Sequence, residues 1–207
     1  MNYAALVSDI KNFVEDDSTE FANSIDSIID QAEEMIFQRL PNMPCFRQSA
    51  TGNLVVGTSS YTIASARIIR QVSITVSSNV TFLNHRVDSY LKDYWPNSST
   101  TDEPIMYTTD SASTSGTVIT LAPTPDSTYA YKVDFAAPVT GISSGTTTTW
   151  LGNHAENVLL SACLYEASAF LKAPETVTLY KSQFDEAVKL MQQEMLRDYA
   201  AEYDGGI

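Results

Sequence analysis

Apolar side chains recur at helical spacing near both ends of the chain, and this periodicity is absent from its middle. Near the start, one apolar stripe covers residues 3–14, and a second covers residues 19–40 and stops before Pro41. Near the other end, two further stripes cover residues 153–172 and 175–203. The pattern predicts two amphipathic helices at each end of the chain.

The third of these predicted helices is apolar on nearly every side. Val158 and Leu160 lie on opposite sides of its helical wheel, and each belongs to its own apolar row. A helix with this pattern is buried by several neighbours, so we expect it at the centre of a bundle or shared with an adjacent subunit. Glu166 lies within this helix, where an unpaired charge is costly, and we expect Arg39 to be its partner.

The middle of the chain, residues 42–150, is rich in Ser, Thr, Val and Tyr. Residues 72–76 alternate apolar with polar side chains, as a half-buried strand does. Residues 117–121 and 129–135 flank a segment rich in Pro and Asp, so they are predicted to form a hairpin. Short strands at this spacing indicate a small antiparallel sandwich or barrel.

The order of these segments predicts an α+β fold. Residues 1–41 and 151–207 supply two helices each, and all four are expected to meet in one four-helix bundle, because their apolar stripes need a common core. Residues 42–150 then form an antiparallel β subdomain that is inserted between the two halves of the bundle and projects from it.

The net charge of −13 is concentrated in the predicted helices. Residues 1–40 carry nine acidic and two basic side chains, and residues 151–207 carry nine and four. The middle is close to neutral, with seven acidic and six basic side chains. Because binding of nucleic-acid phosphates requires Lys and Arg, the chain is not expected to bind DNA tightly, although it can lie beside DNA.

A row of carboxylates follows one side of the second predicted helix. Asp26, Asp30 and Glu34 are four residues apart, so they stack along the helix. No Lys or Arg lies within the row to relieve the repulsion between them. One interpretation of this row is a solvated helix face, and the other is a surface whose function requires negative charge.

The last predicted helix carries apolar side chains outside its buried stripe. Leu190 and Leu196 are candidates for a second contact with a partner, although isolated exposed leucines are common. Tyr203 and Ile207, near the end of the sequence, are further candidates, because a tail of this kind is frayed unless a partner holds it.

Residue types that catalyse reactions or bind metals are sparse. The only cysteines, Cys45 and Cys163, are expected to be reduced thiols. Cys163 lies about 13 Å along the helix axis from His154, so these two side chains cannot form a nucleophile–base pair. The sequence has no Cys/His spacing typical of zinc and no phosphate-binding or nucleophile motif. We therefore expect no metal, no cofactor and no enzymatic activity.

Features of membrane insertion or export are also absent from the sequence. No apolar run approaches the roughly 18 residues of a membrane span. The first residues lack the basic and apolar regions of a secretory signal. We expect the protein to be synthesised in the cytoplasm and not to associate with membranes.

Several short motifs occur in an order that is more specific than any one of them. They are the stripe of Tyr3, Leu6, Val7, Ile10 and Phe13; the helix with Phe21, Ile25, Ile28, Ile29, Ala32, Glu33, Ile36 and Leu40; Tyr61-Thr-Ile; residues 121–129; Thr149-Trp-Leu; residues 159–167; Phe170-Leu; Tyr180; and residues 184–187. In this order the chain resembles the head-to-tail adaptor (connector) proteins of tailed bacteriophages. It is most similar to the tail tubular protein A-type adaptors of short-tailed phages.

The resemblance implies a structural protein of the virion neck or tail. It implies a homo-oligomeric ring, dodecameric in the family, that joins the portal protein to the tail nozzle or tail tube protein. Double-stranded DNA passes through such a ring during genome ejection without tight binding. We hypothesise that Asp26, Asp30 and Glu34, or the acidic residues of the last helix, line the lumen or an intersubunit seam.

Two other interpretations remain open. In the first, the chain is another phage tail, collar or baseplate component, and its β insertion docks other proteins. In the second, the chain is a carbohydrate-binding β-sandwich module, and the helices form its stalk. An exposed cluster of Tyr90, Tyr94 and Trp95 around one groove favours this last interpretation, whereas packing of these rings in the core of the insertion does not.

Overall fold

The computed structural model describes residues 1–111 and 113–204, with side chains described as far as Arg197. Within these residues the fold is α+β, with helices mostly toward the two ends and strands between them. The α+β class and the location of most helices toward the two ends therefore agree with the prediction from the sequence.

The chain divides into two compact units. The helical unit consists of residues 1–45 and the chain from Pro138 onward, and the β unit consists of residues 46–137. Helices from both ends of the sequence thus belong to one unit. Residues 138–150, whose composition resembles that of the β segment, belong to the helical unit.

Six helices lie in the described part of the chain, and local sequence signals explain their ends. Ser18 caps the second helix, because its Oγ accepts a hydrogen bond at 3.2 Å from the Phe21 N–H. That helix ends just before Pro41, as predicted. The helices are α1 (Tyr3–Val14), α2 (Thr19–Arg39), α3 (Asp88–Tyr94), α4 (Trp150–His154), α5 (Glu156–Phe170) and α6 (Pro174–Asp204).

The helix predicted over residues 153–172 is divided into α4 and α5. Ala155 separates them, because its backbone, at φ −135° and ψ 40°, leaves the helical region. Thr149 caps the first of the two, because its Oγ1 accepts a hydrogen bond from the Gly152 N–H at 3.3 Å. The C-terminal end of the chain therefore contributes three helices to the helical unit rather than the two expected.

The helix α5 packs against α1, α2, α4 and α6. Side chains on its different sides, among them Val158, Ala162 and Leu164, are buried. The expectation that this apolar helix is covered by several neighbours is confirmed. Each fully buried Leu, Ile or Val contributes about 1.5–3 kcal/mol relative to an exposed one, so this helix is central to the stability of the unit.

The strands of the β unit form two four-stranded sheets, ordered β1-β10-β3-β4 and β2-β8-β7-β5, and a two-stranded pairing of β6 with β9. Pairing is antiparallel except for β5 with β7 and β6 with β9, which are parallel over two residues each. The strands are β1 (Arg47–Asn53), β2 (Ser60–Ala64), β3 (Ile68–Val76), β4 (Asn79–Phe82), β5 (Asn84–His85), β6 (Thr101–Asp102), β7 (Met106–Asp110), β8 (Gly116–Ala122), β9 (Thr124–Pro125) and β10 (Ala130–Ala136).

One buried cluster takes side chains from both four-stranded sheets. Val72 and Ile74 of β3 belong to it, as their alternation predicts. Its buried members are Leu54, Ile63, Ala66, Val72, Ile74, Leu83, Tyr107, Ile119, Leu121, Val133, Phe135 and Ala137. Two sheets that share one core form a sandwich.

The hairpin predicted between residues 117–121 and 129–135 is wrong. These residues form β8 and β10, which lie in different sheets: β8 pairs with β2 and β7, and β10 pairs with β1 and β3. The connection between them carries β9, which pairs with β6 instead of closing a tight turn. Each strand therefore buries its apolar face in the shared core from its own sheet.

Candidate assembly surfaces

The carboxylate row of α2 lies at the surface of the helical unit. Asp26 and Asp30 are exposed, and Glu34 is half-buried. Asp26 accepts a hydrogen bond at 2.5 Å from the hydroxyl of Tyr3 on α1, and this bond raises the pKa of Tyr3 to about 12. Glu34 accepts a hydrogen bond at 3.0 Å from the side-chain amide of Gln38. The row is thus a surface of negative charge, partly tied to neighbouring side chains.

Glu33 differs from the row beside it, because its carboxylate points into the helical unit. Its Oε1 accepts a hydrogen bond at 3.1 Å from the backbone N–H of Ile142. Burial raises the pKa of Glu33 to about 7, the Ile142 hydrogen bond opposes this rise, and the charge of Asp30 adds to it. Glu33 belongs to the motifs that resemble the adaptor family, but the sequence did not predict its burial, because its partner is a backbone group 109 positions away.

The thiol of Cys163 is buried at the centre of the helical unit. Burial raises its pKa, and the carboxylates of Glu33 and Glu166 raise it further. Both cysteines are free thiols, and Cys45 is the more accessible of the two. A neutral, enclosed thiol of this kind is a packing group rather than a nucleophile.

The predicted ion pair between Arg39 and Glu166 is wrong. The Arg39 guanidinium contacts Asp185 on α6 at 3.3 Å, and both side chains are about half exposed. Among the described side chains, none forms an ion pair or hydrogen bond with Glu166, and burial raises the pKa of its carboxyl group. Glu166 is half-buried, so water can solvate its carboxylate. The carboxylate therefore does not need the basic partner that we expected from the sequence.

The two leucines singled out on the last helix are strongly exposed, Leu190 at 60% and Leu196 at 67%. Leu190 lines a cavity of about 430 Å³ formed by the end of α4, the start of α5 and the middle of α6. The side chain of Tyr203 and the whole of Ile207 lie outside the described residues.

Neither histidine takes part in a cluster of potential metal ligands. His154 is exposed and its ring packs against that of Trp150, with centroids 5.0 Å apart. His85 is exposed beside Tyr107, with ring centroids 5.1 Å apart. Across the described residues, no three His, Cys, Asp or Glu side chains come together as a metal site would require.

Hydropathy does not single out a membrane-spanning helix. Within the part of the chain that the structure describes, no helix combines the length and the apolar character needed to cross a bilayer.

An aromatic array lies on α3, a helix that the sequence patterns did not reveal because it is only seven residues long. Tyr90 and Tyr94 are each 46% exposed, and their rings stack with centroids 6.2 Å apart. The guanidinium of Arg86 lies over Tyr90, 5.5 Å from the ring centroid. Trp95 is half-buried and donates its indole N–H to the Thr100 carbonyl at 3.1 Å. Trp95 also packs against a small apolar cluster of Leu91, Met106 and Ala122, whereas the two tyrosines face solvent.

Comparison with known proteins adds one result to this geometry. No curated protein matches the chain. The family model described as SU10 adaptor protein matches residues 1–203. The adaptor resemblance read from the sequence is thereby confirmed at the level of the family, and the similarity to tail tubular protein A-type adaptors of short-tailed phages stays a prediction. The chain belongs to the SU10 adaptor protein family.

Proposed function

We propose that this phage structural adaptor is a ring-forming subunit of the virion neck, where it joins the portal protein to the tail nozzle or tail tube. The match of the adaptor family to residues 1–203 is the observation that carries the proposal. An adaptor needs complementary surfaces and no reacting groups, so we propose no enzymatic activity and no cofactor. Head-to-tail connection and a role in genome ejection follow from this position.

The helical unit is the proposed ring-forming body. We assign this role to a four-helix bundle of α1, α2, α5 and α6, with the β unit of residues 46–137 as the inserted subdomain that faces other tail proteins. The packing of α5 against α1, α2 and α6 supports a bundle of this kind. A closed ring of twelve copies is the proposed assembly, since closed cyclic symmetry satisfies every copy of the interface.

The acidic row on α2 is proposed to face the ring lumen or an intersubunit seam. Asp26 and Asp30 are exposed, which such a role requires. A negative lumen repels the phosphates of double-stranded DNA and lets the duplex pass without tight binding. Repulsion between subunits is limited, because exposed charges are screened beyond about 8 Å at physiological ionic strength.

We propose that four side chains near the end of the sequence contact partners: Leu190, Leu196, Tyr203 and Ile207. The exposure of the two leucines supports this assignment for α6.

Electron microscopy of the chain assembled with a candidate portal protein tests the proposed function. We expect a ring stacked coaxially on the portal, with Asp26, Asp30 and Glu34 on its inner wall or between subunits. A chain that forms no ring on the portal would instead favour another tail component. A ring with all three carboxylates on its outer wall would contradict the lumen assignment.

The aromatic array on α3 supports a second candidate, a carbohydrate-binding role of the β unit. Stacked and exposed Tyr90 and Tyr94 offer the flat apolar surface on which sugar rings pack. Calorimetric titration with bacterial surface polysaccharides tests it. Binding that is lost in Tyr90→Ala and Tyr94→Ala would favour this candidate, and the absence of binding to the unaltered chain would exclude it for those polysaccharides.

A further inference from the structure

A trough runs along the helical unit where α5 meets α6. The cavity of about 430 Å³ beside Leu190 forms one part of it. A second cavity of about 240 Å³ reaches the end of α1. The two cavities share Asn157, Gln183 and Ala187 in their walls, so they lie side by side, and we call the pair the trough.

Apolar side chains stand at both parts of this trough. Phe13 lines the part near α1 and is 56% exposed, and Leu190 lines the other part and is 60% exposed. Met191, which is buried, lines the same part of the trough as Leu190. The lining of α6 extends from Gln183 to Glu194, which corresponds to about 16 Å, or three turns of a helix. Large exposed apolar groups beside a depression mark an interaction site.

The charge of the trough has one sign. Glu156, Glu186 and Glu194 line it, and no Lys or Arg occurs among the described residues of either lining. Glu156 contacts the ammonium group of Met1 at 3.1 Å. Glu186 and Glu194 of α6 therefore supply most of the negative charge in the trough that no neighbouring cation among the described residues neutralises.

The walls of the trough favour a helical occupant. They are helices, whose backbone N–H and C=O groups are bonded within each helix along most of its length. An extended segment docked here would find no backbone partners, whereas a helix satisfies its own backbone groups. Recognition then depends on apolar side chains spaced along one face of the occupant.

The helices of a second copy do not complement this charge. α2 carries five acidic side chains and one basic side chain, and α6 carries seven acidic and three basic side chains. α5 carries two acidic side chains and no basic one. Docking any of them in the trough would bring carboxylates against Glu186 and Glu194. Charge complementarity therefore favours a different protein with basic side chains.

We propose that the trough binds an amphipathic helix of a partner protein, with an apolar stripe that contacts Phe13 and Leu190 and with Lys or Arg side chains that face Glu186 and Glu194. The inference rests on the proposed adaptor function, and it adds the chemistry of one partner and the place where that partner docks.

Fluorescence anisotropy with the full-length protein and a model helix tests this inference. The probe is a labelled amphipathic peptide of Leu and Lys, about 14 residues or four helical turns long. A Leu/Glu peptide with the same apolar spacing and a scrambled Leu/Lys peptide of identical composition are the controls. We expect binding of the first peptide only, and weakening of that binding as salt concentration rises.

Variants locate the binding site. Leu190→Ser is expected to weaken binding of the Leu/Lys peptide about tenfold, as expected for loss of one apolar anchor. The double variant Glu186→Gln with Glu194→Gln is expected to weaken it about threefold and to reduce its salt dependence. Leu179→Ser is the matched control, because Leu179 is 51% exposed on the same helix but does not line the trough.

Several results would overturn the proposal. Equal binding of the scrambled or Leu/Glu peptide, or an equal loss in Leu179→Ser, would show that the trough does not select a basic amphipathic helix. Loss of self-association in Leu190→Ser with unchanged peptide binding would identify a second copy as the occupant. Selective peptide binding by a chain that forms no ring would support the trough and contradict the proposed ring instead.

Discussion

The carboxylate of Glu33 on α2 accepts a hydrogen bond at 3.1 Å from the backbone N–H of Ile142, which lies in the segment leading to α4. Ile142 is itself buried, so the segment is held by both an apolar contact and a side-chain hydrogen-bond acceptor. Gly141 lies directly against the same carboxylate. One side chain of the N-terminal helices therefore anchors the chain where it re-enters the helical unit.

Burial of Glu33 is predicted to make stability depend on pH near neutrality. The pKa of Glu33 is about 7 in the folded chain, whereas an ordinary solvated glutamate has a pKa of 4.5. Between these two pH values the folded chain therefore binds more protons than the unfolded chain. The contribution of protonated Glu33 to the free energy of unfolding is fully present below about pH 4.5 and is lost as the pH rises through about 7. The free energy of unfolding falls by about 2–3 kcal/mol over this range. Glu33→Gln should flatten the free energy of unfolding, measured in urea, across this range.

The matched control for this variant is Glu20→Gln, which removes an exposed carboxylate from the first turn of the same helix. We expect the control to keep the pH dependence of the unaltered chain. A Glu33→Gln protein whose unfolding free energy follows the same pH curve as the unaltered chain would show that Glu33 is not the group responsible.

Gly141→Ala is predicted to destabilise the protein through Glu33. A Cβ at this position would overlap the Glu33 Oε2 atom, so the carboxylate would have to leave its place beside Ile142. The cost is expected to be about 1 kcal/mol, that of the lost hydrogen bond to Ile142, because the overlapping atoms are the end of a side chain that can move. In a Glu33→Ala background the same substitution should cost much less, because the overlapping atoms are gone. Equal costs in the two backgrounds, measured by urea unfolding, would argue against this contact.

The two cysteines are predicted to differ sharply in reactivity. Burial and two nearby carboxylates raise the pKa of Cys163, whereas Cys45 is partly accessible. A colorimetric thiol reagent should therefore modify Cys45 in the folded protein and reach Cys163 only after unfolding. Single variants Cys45→Ser and Cys163→Ser assign the two phases. Rapid labelling of the native Cys45→Ser protein would contradict the enclosed position of Cys163.

The Tyr3–Asp26 hydrogen bond is predicted to couple α1 to α2. Tyr3→Phe and Asp26→Asn should each destabilise the protein modestly, because the bond is exposed to solvent. The coupling energy from a double-mutant cycle should be about 1 kcal/mol. Additive effects of the two substitutions would show that the bond contributes nothing to stability in solution.

Local patterns in the sequence predict the helices well because the information is contained within each segment. The stripe of α1 and the Ser18 cap of α2 are set by residues a few positions apart. The break at Ala155 was not predicted, because alanine favours helical backbone more than any other residue and gives no signal of a helix end. Short α3 lacks enough turns to display a periodicity.

Contacts between distant residues were not predictable in this way. The strands β8 and β10 have hairpin-like sequences, yet their pairing depends on which sheet offers each of them a partner. Arg39 pairs with Asp185, 146 positions away, and the sequence alone offers many carboxylates as alternatives. The negative row on α2 was visible from its spacing, whereas the buried role of neighbouring Glu33 depends on a loop that carries no recognisable motif.

Native mass spectrometry of the full-length protein, alone and with a candidate portal protein, tests the central claim most directly. We predict a single closed oligomer of twelve chains, formed alone or on addition of the portal, and a stable complex that contains both rings. A chain that stays monomeric at all accessible concentrations and never associates with the portal would contradict the account.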